Sequence, residues 1–554
     1  MTVPQPPISP HPNAERKALP DGKSPRPPLP APARRSSQSE GGPARRSLKS
    51  EGVSPRLPAW SWALVAISVA VGAWLRFDRL DLMEYKYDEA QMYRLATRQA
   101  TGDFQKVGLV SGVGVRDPAT AVYLFSLIRS VTSEPVALAY LPAFLGVLAI
   151  PLCFLLTRET LGLWAALTAT LLAATAPWSV MYSRKIWIQD LIPCFTTVAM
   201  WSAFRLIRTR QPVYAAAFAI LTAIMIQIHY SSLVLLLIGL ALMVWVRRRR
   251  VYVGWAVGIA IGLLTFAPFL IHQVRHDFED FRSVFHMAEG KHVARAGLAR
   301  TIYHLANMTS YNWFREYVVG ERSQAAYDAS TVRCPVMPGV MAALLALGVA
   351  MAIVKTYRSP PHRLLLLWLA LPPVVWSIVP DVAHYQIIAL PAPFIAIGVL
   401  VESLRPRGKP RVGLPFMGFV AAGAVVLLAS VAHVLFFHSF LNFIETNGGA
   451  QGDYGVAYRY LDASARHLAG HARRRTFDGA VFTGRPVALA RLAMRHGAGL
   501  WTRGDRSVIP DVFFVLQRAD AETDARPKGY SRGVRYEVGP FHFDVWMREP
   551  ATAS

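Results

Sequence analysis

Runs of about twenty apolar residues recur along this chain, and they restrict its fold more than any other feature. The first is Ala59–Phe77. A soluble element interrupts such a run every few residues, because one of its faces meets water. Lipid offers no water to backbone N–H and C=O groups, so a spanning segment must be a helix that closes its own hydrogen bonds. Further runs lie near 136–156, 162–182, 190–206, 213–229, 231–246, 251–271, 336–354, 363–379, 384–401 and 412–436. Together they predict an α-helical polytopic membrane protein with eleven spans. Only 17% of the 554 residues are charged and the mean hydropathy is +0.29, which fits a chain that crosses lipid repeatedly.

A net charge of +24 invites a nucleic-acid reading, but the cations are not gathered on one folded face. They alternate between loops, as membrane orientation signals do. Arg205, Arg208 and Arg210 lie on one side, followed on the same side by Arg247, Arg248, Arg249 and Arg250. Lys355, Arg358 and Arg363 fall there too, as do Arg405, Arg407, Lys409 and Arg411. The basic N-terminal tail joins them, so the N-terminus is expected in the cytoplasm and, with an odd span count, the C-terminus outside. No nucleic-acid partner is expected; the bilayer is.

Residues 1–58 are rich in Pro, Ser, Arg and Gly and read as a disordered basic cytoplasmic tail. The Ala59–Phe77 run is longer than a signal-peptide core and lacks a following cleavage pattern, so it reads as a retained span. Residues 59–436 form the transmembrane domain, with external loops 78–135 and 272–335. Residues 437–554 read as a small extracytoplasmic α/β domain, from β-type patterns at Ala480-Val-Phe, Val512-Phe-Phe-Val-Leu and Phe541-His-Phe-Asp-Val-Trp. Within 78–135, the stretches Ala90-Gln-Met-Tyr-Arg-Leu-Ala and Val122-Tyr-Leu-Phe-Ser-Leu-Ile are amphipathic and suit helices lying along the interface. Cys153, Cys194 and Cys334 are far apart and form neither a CxxC nor a disulfide framework.

The residues that bear most on chemistry are Asp88 and Glu89, in Tyr85-Lys86-Tyr87-Asp88-Glu89-Ala90, about ten residues past the first span. There a carboxylate can meet both a lipid headgroup and a soluble substrate. The simpler reading is a helix start, since first-turn acids favour the positive end of the helix dipole. Basic and polar groups mark other outer span ends: Arg184, Lys185, Asp190, His229, His384 and Tyr385. Arg184 and Lys185 also fit plain interfacial anchors. Asp190 fits either a helix cap or a partner orienting Arg184, and His229 fits the cap of a tight turn.

In order along the chain, several motifs resemble one family. They are Tyr87-Asp88-Glu89, Ser111-Gly-Val-Gly-Val-Arg-Asp-Pro118, Tyr182-Ser-Arg-Lys-Ile-Trp-Ile-Gln-Asp190, His229-Tyr-Ser-Ser232, Ala267-Pro-Phe-Leu270, and His384-Tyr385 leading into Leu390-Pro-Ala-Pro393. Over about residues 59–440 the chain resembles GT-C glycosyltransferases. It is most similar to the bacterial relatives of protein O-mannosyltransferases and lipid A aminoarabinose transferase (glycosyltransferase family 39-like). One departure is His384, where many members carry Arg.

The resemblance implies an enzyme of the bacterial inner (plasma) membrane that moves a sugar from a polyprenyl-phosphate donor to a hydroxyl on the outer face. The acceptor hydroxyl could belong to a glycan, a lipid or a protein. Asp88 is then the expected catalytic base, supported by Glu89. Arg184, Lys185, His384 and Tyr385 are expected to bind the donor phosphate, with Asp190 and His229 supporting. No cofactor and no obligatory metal are expected. Two other classes stay open: a transporter or lipid flippase, and a polyprenyl-linked glycan polymerase or ligase. Transporters usually carry ionisable residues at mid-membrane, whereas here the charges gather at the outer rim.

Overall fold

The computed structural model describes residues 57–111, 114–283, 295–357, 359–378, 383–406, 413–472, 480–483, 512–518 and 530–548. All but the last two residues of the expected tail lie outside these, as does much of the chain after 472. Every expected span coincides with a helix or a broken pair of helices. Among the described residues, five helices are long and apolar enough to cross a bilayer: α1 (Ala59–Phe77), Pro135–Leu161, Ile188–Thr209, Met337–Thr356 and Phe416–Asn447. Two bent pairs raise this to seven if each is a single span: Arg249–Thr265 with Ala267–Arg275 (52°), and Ala383–Ala389 with Ala392–Leu404 (51°).

The other four expected spans are shorter helices. Three are Leu163–Thr175, Pro212–Ile228 and Tyr230–Trp245; the fourth is Pro360–Trp376. Prolines account for part of this fragmentation, because each removes a backbone donor and crowds the preceding turn. Pro177 separates Leu163–Thr175 from the short helix Pro177–Met181, and Pro268 and Pro391 sit at the bends of the two broken pairs. Among the described residues, then, all eleven apolar segments are helical, and five to seven of them are long and apolar enough to cross a bilayer.

Helices pack closely where side chains are small, as lipid-embedded interfaces require. Gly254, Gly258 and Gly262 of Arg249–Thr265 lie on Pro212, Ala216 and Ala223 of the neighbouring helix, and a Cβ at Gly254 would come within 2.2 Å of the Pro212 carbonyl.

Two arginines satisfy broken helix ends. Without an N–H on Pro177 the Ala173 carbonyl loses its helical donor. Arg76 fills the gap, donating to Ala173 and Ala174 at 3.0 Å and to Ser179 Oγ at 3.0 Å. Arg184 does the same for the first helix, donating to the carbonyls of Leu75 (2.5 Å), Asp78 (2.6 Å) and Arg79 (3.1 Å).

Outside the spans, α2 (Tyr87–Ala100) leads to a two-stranded antiparallel hairpin, β1 (Val107–Val110) with β2 (Arg116–Pro118), and then to α3 (Thr120–Arg129). The two expected amphipathic stretches fall within α2 and α3. The last apolar helix runs unbroken to Asn447. After it come a short hairpin, β3 (Gly449–Ala450) with β4 (Gly455–Val456), and the helix Tyr458–Ala472.

A four-stranded sheet follows, ordered β5 (Ala480–Thr483), β6 (Val512–Arg518), β8 (Phe541–Arg548), β7 (Tyr530–Val538). β5 and β6 are parallel and the other pairs antiparallel. The three expected strand patterns lie in β5, β6 and β8. β7 was not expected, because Arg532, Arg535 and Glu537 break its apolar pattern; they suit an edge strand, where charge discourages further pairing.

Candidate active site

The acid pair begins α2, and the fold gives its two carboxylates separate surroundings. Glu89 is 1% exposed and accepts the backbone N–H of Lys86 at 2.8 Å, closing the helix start. The helix-start reading therefore holds for Glu89. Burial pushes its carboxyl up to about 7, and the nearby Glu84 charge adds to the shift. Asp88, one residue earlier, is exposed and accepts no hydrogen bond among the described residues. The surrounding protein still strips part of its hydration, which raises its pKa, while Lys86 and Lys185 pull the other way.

Two further acids face this corner. Asp117, on β2, is 5% exposed, and its Oδ1 has no hydrogen-bond partner among the described residues. Burial holds its carboxyl well above the usual range, with the Asp88 charge the next cause. Asp117 stood inside a quoted motif, yet its sequence context gave it no role. Asp190 lies in the one-turn helix Ile188–Leu191. It is buried, and neither carboxylate oxygen has a well-formed hydrogen bond among the described residues. The charge it senses most is Lys185, followed by Glu84 and Glu89, rather than Arg184.

The cations divide. Arg184, expected at the donor phosphate, gives its guanidinium to the three carbonyls at the end of the first helix and stacks on Phe437 at 5.5 Å. Its planar fork fits these diverging carbonyls. Lys185 turns the other way. Its ammonium pairs with the buried Glu84 and stands 3.9 Å from the Trp187 ring centroid. The second oxygen of Glu84 lies 3.2 Å from Lys86, which also reaches Asp453 at 3.3 Å. Sequence reasoning missed Glu84 and Asp453 because the pairs Glu84–Lys185 and Asp453–Lys86 join residues remote in the chain.

The ends of two other apolar segments complete the cluster. His384 is half-buried and packs edge-on to Trp187 at 4.7 Å and Tyr385 at 5.0 Å. Tyr385 meets His229 at 5.2 Å. His229 Nδ1 accepts the Ser231 N–H at 3.1 Å, the turn cap considered for it. Arg116 of β2 donates to Asp280 at 3.0 Å and pairs with Glu279. Asp88, Glu89, Lys185, Asp190, His229, His384 and Tyr385 thus form one neighbourhood, with Asp117 and Glu84 added. Among the described residues, no group of three or more His, Cys, Asp and Glu side chains is placed to hold a metal ion.

An exposed carboxylate beside a buried ammonium and a wall of aromatic and imidazole rings can accept a proton on one side of a polar ligand, while the ammonium stabilises anionic charge on the other.

Comparison with known proteins gives a consistent setting. The family model described as dolichyl-phosphate-mannose-protein mannosyltransferase matches residues 116–272. No curated protein matches the chain. Among solved structures, ArnT from Cupriavidus metallidurans in the apo state is similar, with a TM-score of 0.55 at 14% identity over 88% of this chain and 97% of that one. ArnT from the same organism bound to undecaprenyl phosphate gives 0.56 at 13% identity, over 88% and 98%. At such identity the likeness is one of fold, and it extends along nearly the whole of both chains.

Proposed function

We propose that this chain, a membrane protein of the GT-C fold, is a glycosyltransferase that moves a sugar from a polyprenyl-phosphate donor to a hydroxyl on the extracytoplasmic face. The observation that carries this reading is Asp88: an exposed carboxylate with no hydrogen bond among the described residues, held on the first turn of α2 just beyond the first span and beside the Lys185 cluster. Asp88 takes the proton of the acceptor hydroxyl as its oxygen attacks the anomeric carbon. The bond from that carbon to the phosphate oxygen breaks, and its electron pair leaves with polyprenyl phosphate.

Such a leaving group needs positive charge more than it needs a proton. Lys185 supplies the charge, with His384 and Tyr385 donating hydrogen bonds beside it. Asp190 and His229 support these groups from behind. Arg184 keeps the first helix end in place.

A lipid-linked donor suits an outer-face site, where nucleotide sugars are not supplied, and ArnT was solved with undecaprenyl phosphate. A cavity of about 440 Å³ among the helices Pro212–Ile228, Val234–Trp245 and Arg249–Thr265, walled by Phe218, Leu235, Leu240, Trp255 and Leu263, has the apolar character an isoprenoid chain needs. The test is to incubate the purified protein with a panel of polyprenyl-phosphate sugars and measure released polyprenyl phosphate. Release from one donor, dependent on Asp88, supports the reading. No release from any donor, with hydroxyl acceptors of all three kinds present, overturns it.

A further inference from the structure

The segment that enters α2 is stitched, almost residue by residue, to the chain beyond the last apolar helix. The Tyr454 hydroxyl donates to the Leu82 carbonyl at 2.5 Å, and the Tyr458 N–H donates to Met83 at 2.9 Å. Glu84 and Ala457 form an antiparallel bridge, and Lys86 reaches Asp453. The β3–β4 hairpin is seated in turn on the outer loop: Asp453 N–H donates to Tyr317 at 3.1 Å and Tyr454 N–H to Val318 at 3.2 Å. The fit is close enough that a Cβ on Gly452 would come within 2.5 Å of the Gly320 nitrogen.

At the centre of this seam stands Glu84, 1% exposed and shared between Lys185 and Lys86. A carboxylate is left in such a place only if cations repay its lost hydration. The cavity beside the pair, lined by Glu84, Tyr182, Lys185, Tyr317 and Asp453 among others, is about 10 Å³. That is room for about one water molecule and far too little for a sugar. Glu84 therefore acts from behind the site, out of reach of substrate.

We infer that Glu84 is a positioning residue acting through Lys185, and that the β3–β4 hairpin sets its place, so that the chain after the last apolar helix completes the active site. The inference rests on the glycosyltransferase reading above. Glu84 fixes the Lys185 ammonium over Trp187; without it, that cation turns toward Asp190, the other carboxylate it senses most strongly. If the pair only held the fold together, removing it would lower stability and leave the kinetics of folded molecules unchanged.

The experiment uses the full chain in lipid nanodiscs and compares wild type with Glu84→Gln, Glu84→Asp and Tyr454→Phe. It reads kcat, donor KM and melting temperature. Glu84→Gln should lower kcat at least about tenfold, the scale set by a charge-assisted hydrogen bond, with donor KM within about threefold. Glu84→Asp should recover part of the loss. Tyr454→Phe keeps every charge but loosens the seam, and should lower kcat by a smaller factor in the same direction. A folded Glu84→Gln protein with kcat within twofold of wild type overturns the inference, and so does a Glu84→Asp variant no better than Glu84→Gln. Should Glu84→Gln fail to fold, an unchanged kcat in Tyr454→Phe overturns it. Wild type that releases no polyprenyl phosphate sinks the glycosyltransferase reading, and the inference with it; wild type that turns over beside unaffected variants sinks the inference alone.

Discussion

Arg184 and Lys185 are neighbours in the chain, and the fold sends them to two regions with opposite electrostatics. In one, Arg76 and Arg184 are buried against helix ends, where their hydrogen bonds go mainly to backbone carbonyls. In the other, Lys185 enters a corner rich in carboxylates: Glu84, Glu89, Asp190 and, further out, Asp88 and Asp117. A guanidinium presents a rigid fork that can satisfy several diverging carbonyls at once, whereas an ammonium is a compact point charge suited to close pairing with carboxylates. The first region repairs broken helix ends. The second holds titratable groups away from their ordinary pKa values, as sites of proton transfer do. Charge type alone did not separate them; the surroundings did.

If this contrast is right, substitutions in the two regions should fail in different ways. The largest effect is expected for Asp88→Asn, which keeps the shape of the side chain but cannot take a proton. Turnover should fall about 100- to 10,000-fold while donor binding survives. Measuring both in purified protein decides the point, and turnover within a few-fold of wild type would return Asp88 to a mere first-turn acid.

Arg184→Ala should do the reverse. It leaves buried carbonyls without donors, at about 1–3 kcal/mol each, so the melting temperature should drop clearly. Turnover per folded molecule should stay within a few-fold of wild type. A normal melting temperature with turnover reduced more than tenfold would move Arg184 into the second region after all.

A smaller effect is expected for Lys86→Met. Lys86 favours the ionised form of Asp88, so its removal should raise the Asp88 pKa further. The acid limb of the pH–rate profile should then shift to higher pH. A shift to lower pH, or none, would mean that Asp88 is not the group titrating in turnover.

The smallest effect concerns Glu89. Its folded pKa of about 7 lies above the ordinary carboxyl value of 4.5, so the folded state binds more protons between those values. This contribution to stability is full below about pH 4.5 and is lost as pH rises through 7. Glu89→Gln retains an oxygen for the Lys86 N–H and removes that loss. The melting temperature of the variant, relative to wild type, should therefore improve on going from pH 4.5 to 7.5. An unchanged difference across that range would place Glu89 outside the strained corner.

Much of this was legible in the sequence because it rests on local rules. Hydropathy located the apolar segments that are helical among the described residues, since a segment in lipid must close its own hydrogen bonds. Alternation revealed β5, β6 and β8, and the acids at the start of α2 announced a helix start that Glu89 does build. The tertiary structure decided the rest. Whether an apolar run is one span or a broken pair depends on whether a distant side chain can satisfy the carbonyls a proline frees, as Arg76 does for Ala173. The separate fates of Arg184 and Lys185 depend on carbonyls and a carboxylate about a hundred residues earlier. Asp117 becomes part of the site only because β2 folds back toward α2, and Glu84 only because a hairpin beyond residue 448 pins it there. Secondary structure follows from neighbours in sequence; the partner of a buried charge is chosen by which remote groups the packed chain leaves within reach, and no local pattern encodes that.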